Sequence, residues 1–213
     1  MIILNKVKKI YKTKKMSFNI FEDLNFQINS GEFIKIIGPN GSGKSTFLKL
    51  IKGILLPDHG EVIYGDGIKN SDIAFVSQNQ RSFFLNLSVK QNLSFFSSLN
   101  LNKNSNIELK IKELLETFGL SKKIDTYMSS LSSGELKKIS IIRALLMEPK
   151  LLLLDEVMSN LEEKNRLFMT DFIQNELNVK KNISIIWTTH YPNEIEGVRE
   201  KTYLIKNKDF KQL

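Results

Sequence analysis

Nine consecutive residues, Gly38-Pro39-Asn40-Gly41-Ser42-Gly43-Lys44-Ser45-Thr46, match the spacing G-x-x-x-x-G-K-S. Residues of these types can hold the phosphates of a nucleoside triphosphate. Phosphates carry several negative charges, and binding them takes a concave set of N–H donors at a helix N-terminus, where unpaired amides and the macrodipole both favour an anion. Gly38, Gly41 and Gly43 are expected to permit backbone angles that strain other residues and to let the chain close on the phosphates. Lys44 is placed to reach the β and γ phosphates, and Ser45 to offer a hydroxyl to Mg²⁺.

A second group is acidic. Asp155-Glu156 ends the apolar run Leu151-Leu152-Leu153-Leu154. Two carboxylates at the end of a buried strand repel one another and lose hydration, so a cation or a proton must offset them. Asp155 is read as a Mg²⁺ ligand, directly or through its waters, and Glu156 as the group that orients and deprotonates an attacking water.

Two further places carry polar groups where open α/β sheets bind ligands, just past the ends of apolar strands, and a third opens a helix. Gln78 follows Ile73-Ala74-Phe75-Val76 and is a candidate for Mg²⁺ or water contact, with a solvated loop glutamine as the alternative. His190 follows the apolar stretch that contains Ile183, Ile185, Ile186 and Trp187, and its imidazole is a candidate partner of a γ-phosphate. Ser132, Ser133, Gly134 and Glu135 open a helix carrying Leu136, Ile139, Ile142, Ala144 and Leu145, which makes a second anion-binding N-terminus. Ser132 and Glu135 are also spaced as a capping box, so a plain capped helix is the other reading. Tyr11 can stack on an adenine ring or be an ordinary edge-strand tyrosine.

These side chains need a scaffold. Phe33-Ile34-Lys35-Ile36-Ile37 reads as a buried strand ahead of the glycine-rich turn, and Phe47-Leu48-Lys49-Leu50-Ile51 as the helix after it. Ile2-Ile3-Leu4 opens a first strand, Val7 to Tyr11 brings an aromatic ahead of the glycine-rich turn, and Phe21 to Ile28 alternates as a second strand; two early strands suggest an antiparallel edge sheet. Glu61-Val62-Ile63-Tyr64 with Gly65-Asp66-Gly67 reads as a hairpin after a break at Pro57-Asp58-His59-Gly60. From about Arg81 to Met128 the pattern becomes helical: Ser88 to Gln91 is a capping box, and Ile107, Ile111, Leu114, Leu115 and Phe118 form a stripe that Gly119 can terminate. The segment 81–130 is therefore expected to be a helical subdomain inserted in one domain spanning 1–213. Arg81-Ser82-Phe83-Phe84-Leu85 stands at its entrance, with aromatics that belong either to the core or to a partner surface.

At 213 residues and 41% hydrophobic side chains, the chain suits one sizeable α/β core. The absence of cysteine excludes disulfides and thiolate metal sites. No signal-peptide pattern opens the chain, and its apolar runs are strand-length, so the expectation is a soluble protein. The net charge of +8 comes largely from lysines spread among asparagines, without a compact arginine patch or an aromatic-interleaved basic stripe. No nucleic acid is expected as a partner.

Taken in order, these motifs resemble the ATP-binding-cassette (ABC) ATPases over essentially the whole chain. The resemblance assigns Tyr11 to the adenine, Gly38 to Thr46 to the phosphates, Gln78 to the Q-loop, Leu131 to Glu135 to the signature segment and Leu151 to Glu156 to the Walker-B strand. Ser159-Asn160-Leu161-Glu162 becomes the D-loop and His190 the switch histidine. It implies an α/β fold with a P-loop NTPase core, a mainly parallel central sheet, an N-terminal antiparallel β subdomain and an inserted α-helical subdomain. It further implies ATP and Mg²⁺ as cofactors and a head-to-tail dimer, homo- or heteromeric, in which the signature helix of one subunit binds the γ-phosphate held by the other.

The short length and the stretch from Arg81 to Leu93 look like ATPases of type-2 exporters. That likeness predicts a separate transmembrane permease and a peripheral place at the cytoplasmic face of the membrane. A cytosolic cassette acting on nucleic acid or protein assembly, or a slow nucleotide-binding regulator, is the alternative. The sequence departs from the family where Ser133 and Glu135 replace a glycine and a glutamine, where Val157-Met158 replaces Pro-Thr, and where Glu162 replaces an aspartate. An inward-pointing Glu135 carboxylate would weaken closure on a phosphate, whereas one turned outward as a capping partner would be harmless.

Overall fold

Successive side chains along the central strands enter opposite apolar clusters, which sets the layers of the molecule. The computed structural model describes residues 1–13, 16–65, 67–78, 82–99, 106–159, 161–191, 200–206 and 209–213. Three short strands, β3 (Phe33–Ile37), β6 (Leu151–Asp155) and β7 (Ser184–Thr189), are buried along their whole length. Leu151, Leu153, Ile34, Ile36 and Ile186 join one apolar cluster, while Leu152, Leu154, Phe33, Ile185 and Trp187 join the other. That is the period-two signature of a sheet covered on both faces.

The six-stranded sheet has the order β5-β6-β7-β3-β8-β9, where β5 is Ile73–Val76, β8 is Glu200–Lys206 and β9 is Asp209–Gln212. Its first five strands run parallel, and β9 returns antiparallel to β8. A separate antiparallel sheet is ordered β2-β1-β4, from β1 (Ile2–Lys12), β2 (Ser17–Ile28) and β4 (His59–Tyr64). The α/β class, with its mainly parallel sheet and antiparallel β subdomain, is as the sequence implied.

The hairpin expected after Tyr64 is absent among the described residues, outside which Asp66 of its turn lies. Instead β4 pairs with β1, Ile2 opposite Tyr64 and Leu4 opposite Val62, and His59-Gly60 lie inside the strand rather than in a break before it. Gly60 has φ 74°, and a β-carbon there would sit 2.3 Å from the Lys6 carbonyl oxygen, so the approach of β4 to β1 requires glycine.

One face of the parallel sheet is covered by α1 (Lys44–Ile51) and the three-stranded sheet, through Phe47, Leu48, Leu50, Leu4 and Phe26. The other is covered by α4 (Ser133–Leu145) and α5 (Glu163–Asp171), the latter continuing as π-helical turns over Phe172–Lys180. Two helices, α2 (Val89–Ser98) and α3 (Ile107–Thr117), lie in the segment where a helical insertion was expected, and both pack on α4. Ser88 and Gln91 form the predicted capping box, and Gly119 takes φ 69° just past α3. No helix among the described residues is long and apolar enough to cross a membrane.

Candidate active site

Strand register brings the polar residues together. In the parallel sheet Ile37 stands beside Thr189, Asp155 beside Thr188, and Val76 beside Leu154. Four adjacent strands therefore end at one level, and the residues that follow them, Gln78, Glu156, His190 and Gly38, emerge side by side. This is the carboxyl edge where open α/β sheets bind ligands.

A cleft of about 400 Å³ opens there, lined by Tyr11, Asn40, Gly41, Gly43, Lys44, Ser45, Thr46, Gln78 and Glu156 among others. Gly43 is the N-cap of α1 and no side chain caps that end, which leaves the first amides of the helix to an anion. Gly41 and Gly43 have φ 77° and 109°, as a left-handed turn demands. Gly38 does not share this property, contrary to the expectation for all three. Its need is space: a β-carbon there would lie 2.4 Å from the Ile205 carbonyl oxygen and 2.8 Å from Ser42 Oγ. The buried Ser42 Oγ has no hydrogen-bond partner. Pro39 contributes a carbonyl oxygen, 3.1 Å from Lys44 Nζ.

Lys44 and Glu156 are both buried and form an ion pair, Nζ to Oε1, at 3.0 Å. Lys44 also donates to the Gly38 carbonyl at 2.7 Å. The other Glu156 oxygen accepts from Gln78 Nε2 at 3.1 Å, and His190 Nδ1 lies 3.5 Å from it without a hydrogen-bond partner of its own. Gln78 therefore bears on Glu156 through its amide nitrogen. Glu156 has φ 48°, a left-handed conformation that a side-chain-bearing residue adopts at a cost. Its amide donates to both the carbonyl and the hydroxyl of Thr188, at 3.1 and 3.2 Å, which holds the turn.

Asp155 accepts hydrogen bonds from Ser45 and, at 2.9 Å, from Thr188 Oγ1. Burial pushes its carboxyl above the ordinary aspartate range, with the Glu156 charge adding to the rise and the two hydroxyls opposing it. A buried carboxylate bonded to a serine hydroxyl at the lip of a phosphate cleft is the hard-oxygen donor set that suits Mg²⁺, which takes few protein ligands and completes its shell with phosphate and water. The residues fit the ion.

Tyr11 reaches the cleft from β1, its hydroxyl 3.4 Å from Thr46 Oγ1. The signature residues go elsewhere: none of Ser132, Ser133, Gly134 or Glu135 lines the cleft. Ser132 Oγ accepts from the Glu135 amide at 3.2 Å, and the Glu135 carboxylate accepts from the Ser132 amide at 2.8 Å and pairs with Lys123 at 3.1 Å. The Glu135 carboxylate is thus the outward-turned capping partner. Its pKa lies below the ordinary range, chiefly because of the Ser132 amide.

Sequence reasoning missed four side chains. Thr188 supports both acids. Asn92, fully buried, donates to the carbonyls of Phe84, Leu87 and Ser88 and accepts from the Phe84 amide, clamping that loop onto α2. Arg143 lies over the rings of Phe83 and Phe96, 4.4 and 4.6 Å from their centroids, and donates to Ser82 O and Oγ. The fourth is Lys137, bonded to Ser159. A capping-box or strand-end pattern points to none of them, since their partners are distant in sequence or are main-chain atoms. Phe83 is buried under Arg143, while Phe84 and Leu85 are exposed. Arg81 and Asn160, named above at the subdomain entrance and in the D-loop, lie outside the described residues.

Residues 21–159 match the ABC transporter family. The chain is 32% identical over 199 residues to a sulfate/thiosulfate import ATP-binding protein, CysA, of Chlorella vulgaris, covering 90% of this chain and 83% of that protein. It is 29% identical over 203 residues to CysA of Synechococcus elongatus, covering 92% of this chain and 58% of that protein. Among solved structures, an inward-facing metal-chelate type ABC transporter superposes with TM-score 0.83 at 30% identity, over 100% of this chain and 82% of the other. The cassette MJ0796, a dimer bound to ADP and Pi, does so with TM-score 0.85 at 26% identity, over 100% and 99%. Both CysA relatives are named as import proteins, which lends no support to the expected likeness to exporters. With its glycine-rich cradle, its paired acids and these relatives, the chain belongs to the ABC transporter family and is one of its ATPases.

Proposed function

We propose that this chain is the ATP-binding and hydrolysing subunit of a membrane transporter, working as a pair of cassettes. The carrying observation is that Gly38, Lys44, Gln78, Asp155, Glu156 and His190 converge at the ends of four neighbouring parallel strands, while a second helix N-terminus, capped by Ser132 and Glu135, stands outside the cleft. An anion-binding helix end with no part in its own cleft is explained if it serves the nucleotide of a second copy or of a related subunit.

In this reading the α1 amides and Lys44 hold the phosphates, so Lys44 exchanges Glu156 for the β and γ oxygens as ATP arrives. Released from that pair, Glu156 takes a proton from the attacking water, with Gln78 and His190 against its second oxygen. Ser45 and Asp155 would hold Mg²⁺, which supplies positive charge against the phosphates. Tyr11 faces the base. The single cassette spans 1–213, with the helical subdomain at 81–130.

The permease meets the exposed Phe84 and Leu85 beside α2, and the chain sits peripherally at the cytoplasmic face. The names of the CysA relatives favour import, and sulfate and thiosulfate are the first cargoes to try. The test is Glu156→Gln with Mg-ATP in size-exclusion chromatography. A stable dimer and loss of turnover are expected, and a monomer that still hydrolyses ATP would refute the reading.

A further inference from the structure

We propose that Lys137 is a positioning residue that ties the Glu156 turn to α4. Lys137 lies in the second turn of that helix and is only 8% exposed. Its Nζ donates to the Ser159 carbonyl and, at 3.2 Å, to Ser159 Oγ. Ser159 Oγ donates in turn to the Glu156 carbonyl at 2.9 Å, and the Ser159 amide reaches the same oxygen at 3.3 Å. A buried ammonium is costly unless its donors are met, so the segment that supplies Ser159 is fixed to the helix wherever the helix goes.

A second contact reinforces this one. The Leu161 side chain packs at the start of α4, where a β-carbon on Gly134 would lie 3.5 Å from Leu161 Cδ2. The turn thus holds the left-handed Glu156 from two sides, through Thr188 from the sheet and through Ser159 from α4. A small displacement of α4 is therefore carried to the Glu156 main chain and from there to its carboxylate. This inference rests on the proposed function, in which α4 meets the nucleotide of a second protomer and Glu156 is the base. It gives docking of that helix a mechanical route to the hydrolytic group on the same chain.

Lys137→Met keeps most of the volume and removes the donors, and Lys137→Arg restores donors. For Lys137→Met, kcat should fall about tenfold or more, as small misplacements of a reacting group do, with KM for ATP unchanged. In a Glu156→Gln background, the Mg-ATP concentration needed for dimerisation should not move, and Lys137→Arg should recover most of the rate. Ser159→Ala, which removes only the hydroxyl link, should lower kcat in the same direction by less, and it serves if Lys137→Met does not fold.

An unchanged kcat in Lys137→Met, or in Ser159→Ala where that variant stands in, would overturn the inference. So would a dimerisation requirement that rises as kcat falls, because Lys137 would then only hold α4 in shape. Lys137→Arg as slow as Lys137→Met would also count against it. If Glu156→Gln alone hydrolyses ATP at the unmodified rate, the parent reading fails first and the inference with it.

Discussion

Lys44 Nζ stands 3.0 Å from Glu156 Oε1 in a site where both side chains are nearly inaccessible to water. The cation that should grip phosphate and the carboxylate that should activate water neutralise each other in this pair. Removing one partner leaves the other charge buried and unpaired. Lys44→Ala is expected to destabilise the nucleotide-free protein by roughly 3–5 kcal/mol. The double variant Lys44→Ala/Glu156→Gln should recover a large part of that loss, since the stranded charge is gone. Urea denaturation of the four proteins of the cycle measures it, and strict additivity would mean that the pair contributes nothing as a pair.

Asp155 carries a different liability. Its folded-state pKa is raised, chiefly by burial. Ionising it therefore costs stability, and that cost is absent below the unfolded aspartate pKa and complete once the pH exceeds the folded value. Asp155→Asn removes the charge, so at neutral pH the nucleotide-free protein should melt a few degrees higher. Turnover should fall by about a hundredfold or more, because the metal's charge stabilisation is worth several kcal/mol. Thermal melts alongside ATPase assays check both, and a gain that persists well below pH 4 would contradict the sign.

Arg143 joins the end of α4 to the segment that carries Phe84 and Leu85 to the surface. Lysine would keep the charge yet lose the planar stack on Phe83 and Phe96 and the fork to both oxygens of Ser82. Arg143→Lys is expected to cost about 1–2 kcal/mol by denaturation. Arg143→Ala should cost more. Equal stability of the lysine variant would show that charge alone matters here.

Glu135 offers a milder test. The carboxylate accepts from the Ser132 amide, and its pKa is held down chiefly by that bond. Its contribution is present above the unfolded glutamate pKa and is lost as the pH falls through the lower folded value. Glu135→Gln retains a capping oxygen, so stability at pH 7 should change by less than about 0.5 kcal/mol. ATPase activity should stay close to that of the unmodified protein. A large acceleration would mean that the carboxylate opposes the approach of a phosphate after all.

Much of the site was legible because its chemistry is local. Gly38 to Thr46 carries its own turn and helix start, and Asp155-Glu156 its own strand end, so type and spacing suffice. What escaped depends on which segments become neighbours. Glu61 to Tyr64 reads as a strand from its own residues, yet its partner β1 lies almost sixty positions away and no local pattern names it. Arg143 meets Ser82 across 61 positions, and Lys137 meets Ser159 across 22. Gly38 looked like a conformational glycine because its neighbours are; the obstruction that explains it comes from Ile205 on another strand. Transport direction left no trace in these residues, since the nucleotide cleft faces the same reaction whichever way cargo moves.

The backbone angle of Glu156 has a further implication. At φ 48° a glycine would rest without penalty, while glutamate pays on the order of 1 kcal/mol or more. Glycine there would relax the turn but leave the Lys44 ammonium buried without its partner, a loss of roughly 3–5 kcal/mol that outweighs the relief. Strain and charge are thus balanced at one peptide unit. A sturdier chain is reached at this place only by changing Lys44 along with it.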